Sequence, residues 1–289
     1  MVSPETTTTT AHPGKTTERP WALISLPPFP GVAMRVLQLL SKDDVGFKEL
    51  TALICSDMAL SSEILTLANS AFFCLRSEIR GILHATVLLG LQRVKALALT
   101  VSMRVYLTDV LTIPALLACW RHSLATALIA EEVVGVSYMD KDAAYTAGLL
   151  HDIGRLALAV IHPAQYANFL SSAPRTDAEI LEGERQLFEV DHCQAGRWLV
   201  EAWKLPKEFV DITSRHHVEI NDKFDLFAVV RFSCALANAL GFCAIPPLGL
   251  PNFEDLLQKL PDWGRGCFGF DPNEVALRIA TKINSMSLW

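Results

Sequence analysis

The chain reads as an all-α protein built from two helical lobes. Three observations lead there. Apolar residues recur at intervals of three and four along most of the sequence, as in Val32, Val36, Leu39 and Leu40, which is the period of a helix with one buried face. No alternating strand pattern of useful length occurs, and no repeat of 20 to 50 residues is present. With 289 residues and 51% hydrophobic content, the chain can bury a core larger than one small helical bundle requires.

Residues 1–19 are rich in threonine, proline and charge and lack large apolar groups, so a disordered tail is expected there. From Pro20 to about Val110 the helical period defines a first lobe. Asp43 or Asp44 can cap the helix that runs through VGFKELTALI, and Ser56-Asp57 can start MALSSEILTLA. Helical periodicity continues from Ile82 to Val105, and it breaks at Thr112-Ile113-Pro114 because proline disfavours helix in the residue before it. A second lobe, 111–245, follows with helices expected at 115–134, 141–161, 177–189, 191–203, 206–217 and 226–240. Residues 246–289 read as a helical extension.

Charge and cysteine usage exclude several classes. A formal net charge of −6 provides no basic field for nucleic acid, and Arg76, Arg80, Arg93, Lys95 and Arg104 are spaced out and offset by acids, as on a solvated face. Seven cysteines without a CxxC argue against a disulfide framework or a cysteine zinc site and suit a reducing cytoplasm. The N-terminus lacks the apolar core of a signal peptide, and the uncharged run from Phe232 to Phe253 is interrupted by Pro246, Pro247 and Pro251, so no membrane span is expected.

The chemistry concentrates in the histidines. His151 and Asp152 stand together inside AGLLHDIGRLAL, a stretch otherwise suited to a buried helix. His122 shares a helical face with Cys119, Thr126 and Ile129, and His192 shares one with Ala195, Gly196 and Leu199, so both point inward. His216 and His217 form a third site. Histidine together with carboxylate suits a divalent metal, and Gly148, Gly154, Ala195 and Gly196 would let the helices approach closely enough for these side chains to meet.

The ordered set WRHSLATALIA, AGLLHDIGRL, ERQLFEVDHCQAGRWLVEAWKLP and the pair at 216 and 217 resembles the HD superfamily of metal-dependent phosphohydrolases. LPPFPGVAMRVLQLL, ICSDMALSSEILTLANSAFF and ATVLLGLQRVKALALT are similar to the N-terminal half that marks its HDOD variant, so the resemblance covers about 21–245. It implies metal ligands at His122, His151, Asp152, His192, His216 and His217, a divalent ion such as Fe, Mn, Zn or Mg, and Asn238 where the family has a late aspartate. Arg231, seven residues before Asn238, could then place a cation near Asp152. Arg155 stands where a lysine is usual, with two readings: an ion pair at the surface or between helices, or, beside Asp152 in an active enzyme, a phosphate contact. No Gly-Tyr-Pro segment follows the histidine pair, which sets the chain apart from the cyclic-dinucleotide phosphodiesterase branch.

Asn69 and Ser70 belong to the HDOD signature, with a helix cap or interlobe hydrogen bond as their physical job. HDOD resemblance implies a bacterial regulatory output module of signal transduction, binding a signalling protein or a small-molecule signal rather than hydrolysing a substrate. The alternative is a divalent-metal-dependent phosphohydrolase or phosphodiesterase with a degenerate site.

Overall fold

Helix boundaries in the computed structural model follow the local chemistry. It describes residues 26–29, 31–40, 46–70, 73, 77–135, 137–172, 176–218, 224–245, 249, 251–266, 268 and 271–286. Among these, regular structure is entirely helical. The first lobe holds α1 (Gly31–Leu40), α2 (Phe47–Cys55), α3 (Met58–Ala68), α4 (Ile82–Leu89) and α5 (Leu91–Tyr106). Asp57 caps α3 as expected, its carboxylate accepting from Leu60 N at 3.0 Å. Gly46 is the residue before α2, and the caps expected at Asp43 or Asp44 lie outside the described residues, as does the tail 1–19.

The stretch of helical period from Ile82 to Val105 holds two helices. Gly90, at φ 91° and ψ 156°, separates α4 from α5 with a backbone conformation that a side chain would strain. Asn69 closes the end of α3: its amide donates to Ile79 O at 2.8 Å while its carbonyl accepts from Ile79 N at 2.7 Å. The hydrogen bond is therefore a clamp within the first lobe, not a bridge between lobes.

A short 3-10 turn, Val110–Thr112, leads to α6 (Pro114–Val134), which begins on its proline because that position needs no N–H partner. The second lobe continues with α7 (Lys141–Leu150), α8 (Ile153–Ile161), α9 (Pro163–Leu170), α10 (Asp177–Phe188), α11 (His192–Ala202), α12 (Lys207–Arg215) and α13 (Leu226–Ala239). After it come α14 (Phe253–Lys259), α15 (Asp262–Arg265) and α16 (Pro272–Met286). The C-terminal helix packs on α6, with Arg278 and Lys282 both bound to Glu132 at 2.9 and 2.6 Å.

The helix expected from Lys141 to Ile161 is also broken, at His151-Asp152. Asp152 has φ −105° and ψ 22°, which ends the regular ladder and starts α8. This 21-residue stretch is apolar enough to cross a membrane by composition, yet 89% of its most apolar window is buried inside the protein, as in a core helix. Close approach around the break depends on glycine. A Cβ on Gly154 would lie 1.9 Å from His192 O, and one on Gly148 would lie 2.7 Å from Ala127 Cα. The role expected for these small residues is therefore met by α8 against α11 and α7 against α6.

The two lobes share one continuous apolar core. Arg93 of α5, buried to 7% side-chain exposure, pairs with Glu131 of α6 and, at 2.9 Å, with Asp142 of α7. Thr100 of α5 hydrogen-bonds the Tyr145 hydroxyl of α7 at 3.0 Å. Lys95 is also buried, donating to Leu39 O at 2.8 Å, and Arg104 pairs with Glu63. The expected solvated basic face is thus corrected for these three residues: their charges hold helices together, while Arg80 remains exposed beside Glu78. An apolar cavity of about 300 Å³ lies between the lobes, walled by Phe29, Tyr106, Ile153, Trp198 and Trp203 among others.

Candidate metal centre

Helix ends build the centre. His151 caps α7 and donates from Nδ1 to Gly148 O at 2.7 Å, satisfying a carbonyl that the ending helix leaves without a partner. His122 lies mid-way along α6, and its Nδ1 bonds Phe242 O at 2.6 Å. His192 opens α11, where Glu184 of α10 accepts both its backbone N–H at 2.8 Å and its Nδ1–H at 2.6 Å. His216 ends α12, and His217 follows with Nδ1 2.9 Å from Asp177 Oδ2.

All six predicted residues converge. Asp152 is the hub: His216 Nε2 and His192 Nε2 stand 3.1 and 3.5 Å from its Oδ1, and His151 Nε2 and His122 Nε2 stand 3.7 and 3.9 Å from its Oδ2. His217 joins through His192, with their Nε2 atoms 2.9 Å apart. The side chains of His151, Asp152 and His216 are 0%, 5% and 1% exposed, so the middle of the cluster is enclosed, with half-buried His217 at its edge.

Proton positions follow from the outer partners. A carbonyl or carboxylate facing Nδ1 makes that nitrogen the donor and leaves Nε2 with a lone pair, for His122, His151, His192 and His217 alike. Burial disfavours the charged ring at four of them, lowering His122 and His151 to about 4 and lowering His216 and His217 as well. Several lone pairs and a carboxylate therefore face one another with too few protons between them. His151 Nε2, Asp152 Oδ1 and both ring nitrogens of His216 are buried without a hydrogen-bond partner, since the 3.1 Å approach to Asp152 lacks hydrogen-bond alignment.

Such unpartnered donor atoms fit a divalent cation, and the outer carbonyl and carboxylate partners are the kind that orient metal-binding imidazoles. Two groups offer ligand atoms within 4.8 Å of one another: His192, Cys193, His216 and His217, and separately His122, His151 and Cys234. Asp152 lies between them.

One predicted detail is corrected. Arg231 does not reach Asp152; it donates to His216 O at 2.8 Å and fixes the end of α12. The cation on Asp152 is Arg155, buried, with Nε 3.0 Å from Oδ2 and Nη1 3.2 Å from Glu184. Of the two ion-pair places expected for Arg155, the structure has the one between helices, α8 to α10. Among the described residues, Cys234 Sγ is the α13 atom beside His122 Nε2, at 3.5 Å, and no hydrogen bond links the Asn238 side chain to the cluster.

Glu184 is the residue that sequence reasoning missed. It is fully buried, takes hydrogen bonds from His192, Arg155 and the Tyr166 hydroxyl, and is lowered to about 2, burial being opposed by His192 and Arg155. Arg155 and the surrounding imidazoles likewise hold Asp152 well below the carboxylate range against its burial. The cysteines carried the opposite expectation, yet Cys193 and Cys234 both lie within reach of histidine ligand atoms.

The fold and site define the class: a two-lobed, all-helical protein around a buried histidine–aspartate centre. The HDOD domain family model matches residues 26–219, and the chain belongs to that family. An uncharacterised protein of Treponema pallidum is 23% identical over 197 residues, 66% of this chain and 37% of its own length. An HDOD domain protein from Geobacter sulfurreducens has the same fold, with a TM-score of 0.66, 24% identity and 91% of both chains covered. A candidate signal transduction protein from Marinobacter aquaeolei VT8 gives 0.66 and 20%, over 90% of this chain and 58% of that one. A candidate phosphohydrolase from Shewanella amazonensis SB2B gives 0.61 and 21%, over 92% and 96%.

Proposed function

We propose that the chain is a regulatory HDOD module that relays a signal through its two lobes, and that its histidine centre holds a divalent ion as an internal brace rather than as a hydrolytic site. The observation that carries this reading is Arg155. Its guanidinium occupies the Asp152 oxygen that faces His122 and His151, and this pairing is buried. Phosphate hydrolysis needs an ion with an open position and room for the substrate to reach it. Burial of His122, His151, Asp152, His192 and His216 works against both, leaving the half-buried His217 as the one approach.

His122, His151, Asp152, His192, His216 and His217 would hold the ion, which when bound would supply Lewis acidity and neutralise the converging lone pairs. An imidazole-rich set suits zinc or iron better than magnesium, whose preference is for oxygen. The cavity between the lobes supports a small uncharged signal: its walls are aromatic and aliphatic, and Ile153 and Leu199 connect it to α8 and α11, which carry Arg155 and His192. The net charge of −6 and the internal pairing of Arg93, Lys95 and Arg104 speak for a protein or small-molecule partner over nucleic acid.

A second reading, a degenerate phosphohydrolase, is favoured by the complete set of six converging side chains. One experiment separates the two. Protein loaded in turn with iron, manganese, zinc and magnesium is assayed by elemental analysis and by hydrolysis of bis(p-nitrophenyl) phosphate and a cyclic dinucleotide. Bound metal without turnover is the expected result; metal-dependent turnover abolished by Asp152→Ala overturns it.

A further inference from the structure

The group His122, His151 and Cys234 combines two imidazoles with a thiol that family resemblance does not call for. His122 Nδ1 and His151 Nδ1 are both committed to backbone carbonyls, so both Nε2 lone pairs face the interior. Cys234 Sγ lies 3.5 Å from the first of these, and the three ligand atoms are mutually within 4.8 Å. A thiol–imidazole hydrogen bond would account for His122 alone. His151 Nε2 would remain buried and unpartnered, as it is here.

The place of Cys234 on α13 explains what it stands for. Asn238, aligned with the late aspartate, is four residues further on, which is the same helical face but about 6 Å along the axis. Face and turn are separate questions, and the residue on the turn that meets His122 is Cys234. A thiolate carries the same single negative charge as the carboxylate it would replace, while changing the donor from hard oxygen to soft sulfur.

We propose that Cys234 is a metal ligand, which makes the His122–His151 end of the centre a mixed imidazole–thiolate site for zinc or ferrous iron. This rests on the reading that the centre holds an ion, and it adds the donor that sets which ion. On binding, the Cys234 S–H bond breaks, the proton passes to solvent, and the sulfur electron pair bonds the metal. The chain therefore releases one proton more per ion than it would with a neutral donor at 234.

Cobalt(II) tests the proposal, because a thiolate ligand adds a near-ultraviolet charge-transfer band that imidazole and carboxylate do not. Full-length apoprotein titrated with cobalt should develop the band; Cys234→Ser should lose it and bind zinc on the order of tenfold or more weakly. Cys193→Ser should keep it. Cys234→Asp, which restores a carboxylate, should bind cobalt without the band, release no additional proton, and shift its preference toward manganese. Circular dichroism of each variant checks folding, and the aspartate variant preserves the test where the serine variant misfolds. Cobalt bound by the wild type without the band, or a band that survives in Cys234→Ser, overturns the thiolate assignment while the metal reading stands. No cobalt bound at all overturns both.

Discussion

Arg155 sits between two carboxylates, Asp152 and Glu184, with no solvent to screen the three charges. Replacing it with methionine keeps much of the volume, strips Asp152 of its guanidinium and leaves Glu184 with only His192 and the Tyr166 hydroxyl. Metal-free Arg155→Met should lose about 3 to 5 kcal/mol in urea unfolding, the usual cost of breaking a buried pair from one side. Its zinc affinity should rise, because Asp152 is then free to meet an ion instead of a guanidinium. Calorimetric titration showing weaker zinc binding in this variant would count against Arg155 as the competitor for Asp152. At this scale the histidines were legible because each sits in a short motif of fixed spacing. Glu184 was not, since nothing local to ERQLFEV marks one acid as buried, and only the packing of α10 on α11 reveals it. Cys234 escaped for a related reason: an isolated cysteine in an apolar helix looks like any small core residue until its neighbour from α6 is known.

Between residue and molecule stand the helix junctions. Period and capping signals predicted where most helices run, including the start of α3 at Asp57 and of α6 within one residue of Pro114. Periodicity could not show the breaks at Gly90 and at His151-Asp152, because apolar residues continue on both sides and the interruption is a matter of backbone angle. Gly154, two residues beyond the second break, is where α8 meets the backbone of α11. Gly154→Ala would place its methyl 1.9 Å from His192 O, so the helices must separate. A loss on the order of 3 kcal/mol in thermal or urea unfolding is expected, at the upper end for an overpacked core. Zinc binding should weaken with it, since His192 opens the displaced helix. An alanine variant with unchanged zinc affinity would show that the approach of α8 to α11 does not set the centre.

For the molecule as a whole, the buried neutral imidazoles link stability to pH. His122 and His151 fall from the ordinary 6.5 to about 4 because burial penalises the charged ring. Between those values the unfolded chain binds protons that the folded chain refuses, so stability is full above 6.5 and declines as pH falls toward 4. Glu184, lowered from 4.5 to about 2, has the same sign and extends the decline below 4.5. Urea midpoints of metal-free protein should therefore drop steadily on acidification from neutrality, and a flat profile between pH 6.5 and 4 would contradict the neutral, enclosed histidines.

The contacts of Arg93 carry a different consequence. One guanidinium of the first lobe neutralises Glu131 and Asp142 of the second, each of them far along the chain. Cut the chain near the turn at Val110–Thr112, and one piece keeps a stranded cation while the other keeps two acids that repel each other. Each fragment alone is therefore expected to be less stable than the joined lobes. A gene fusion that borrows the histidine half is expected to be more stable when it brings α5 with it.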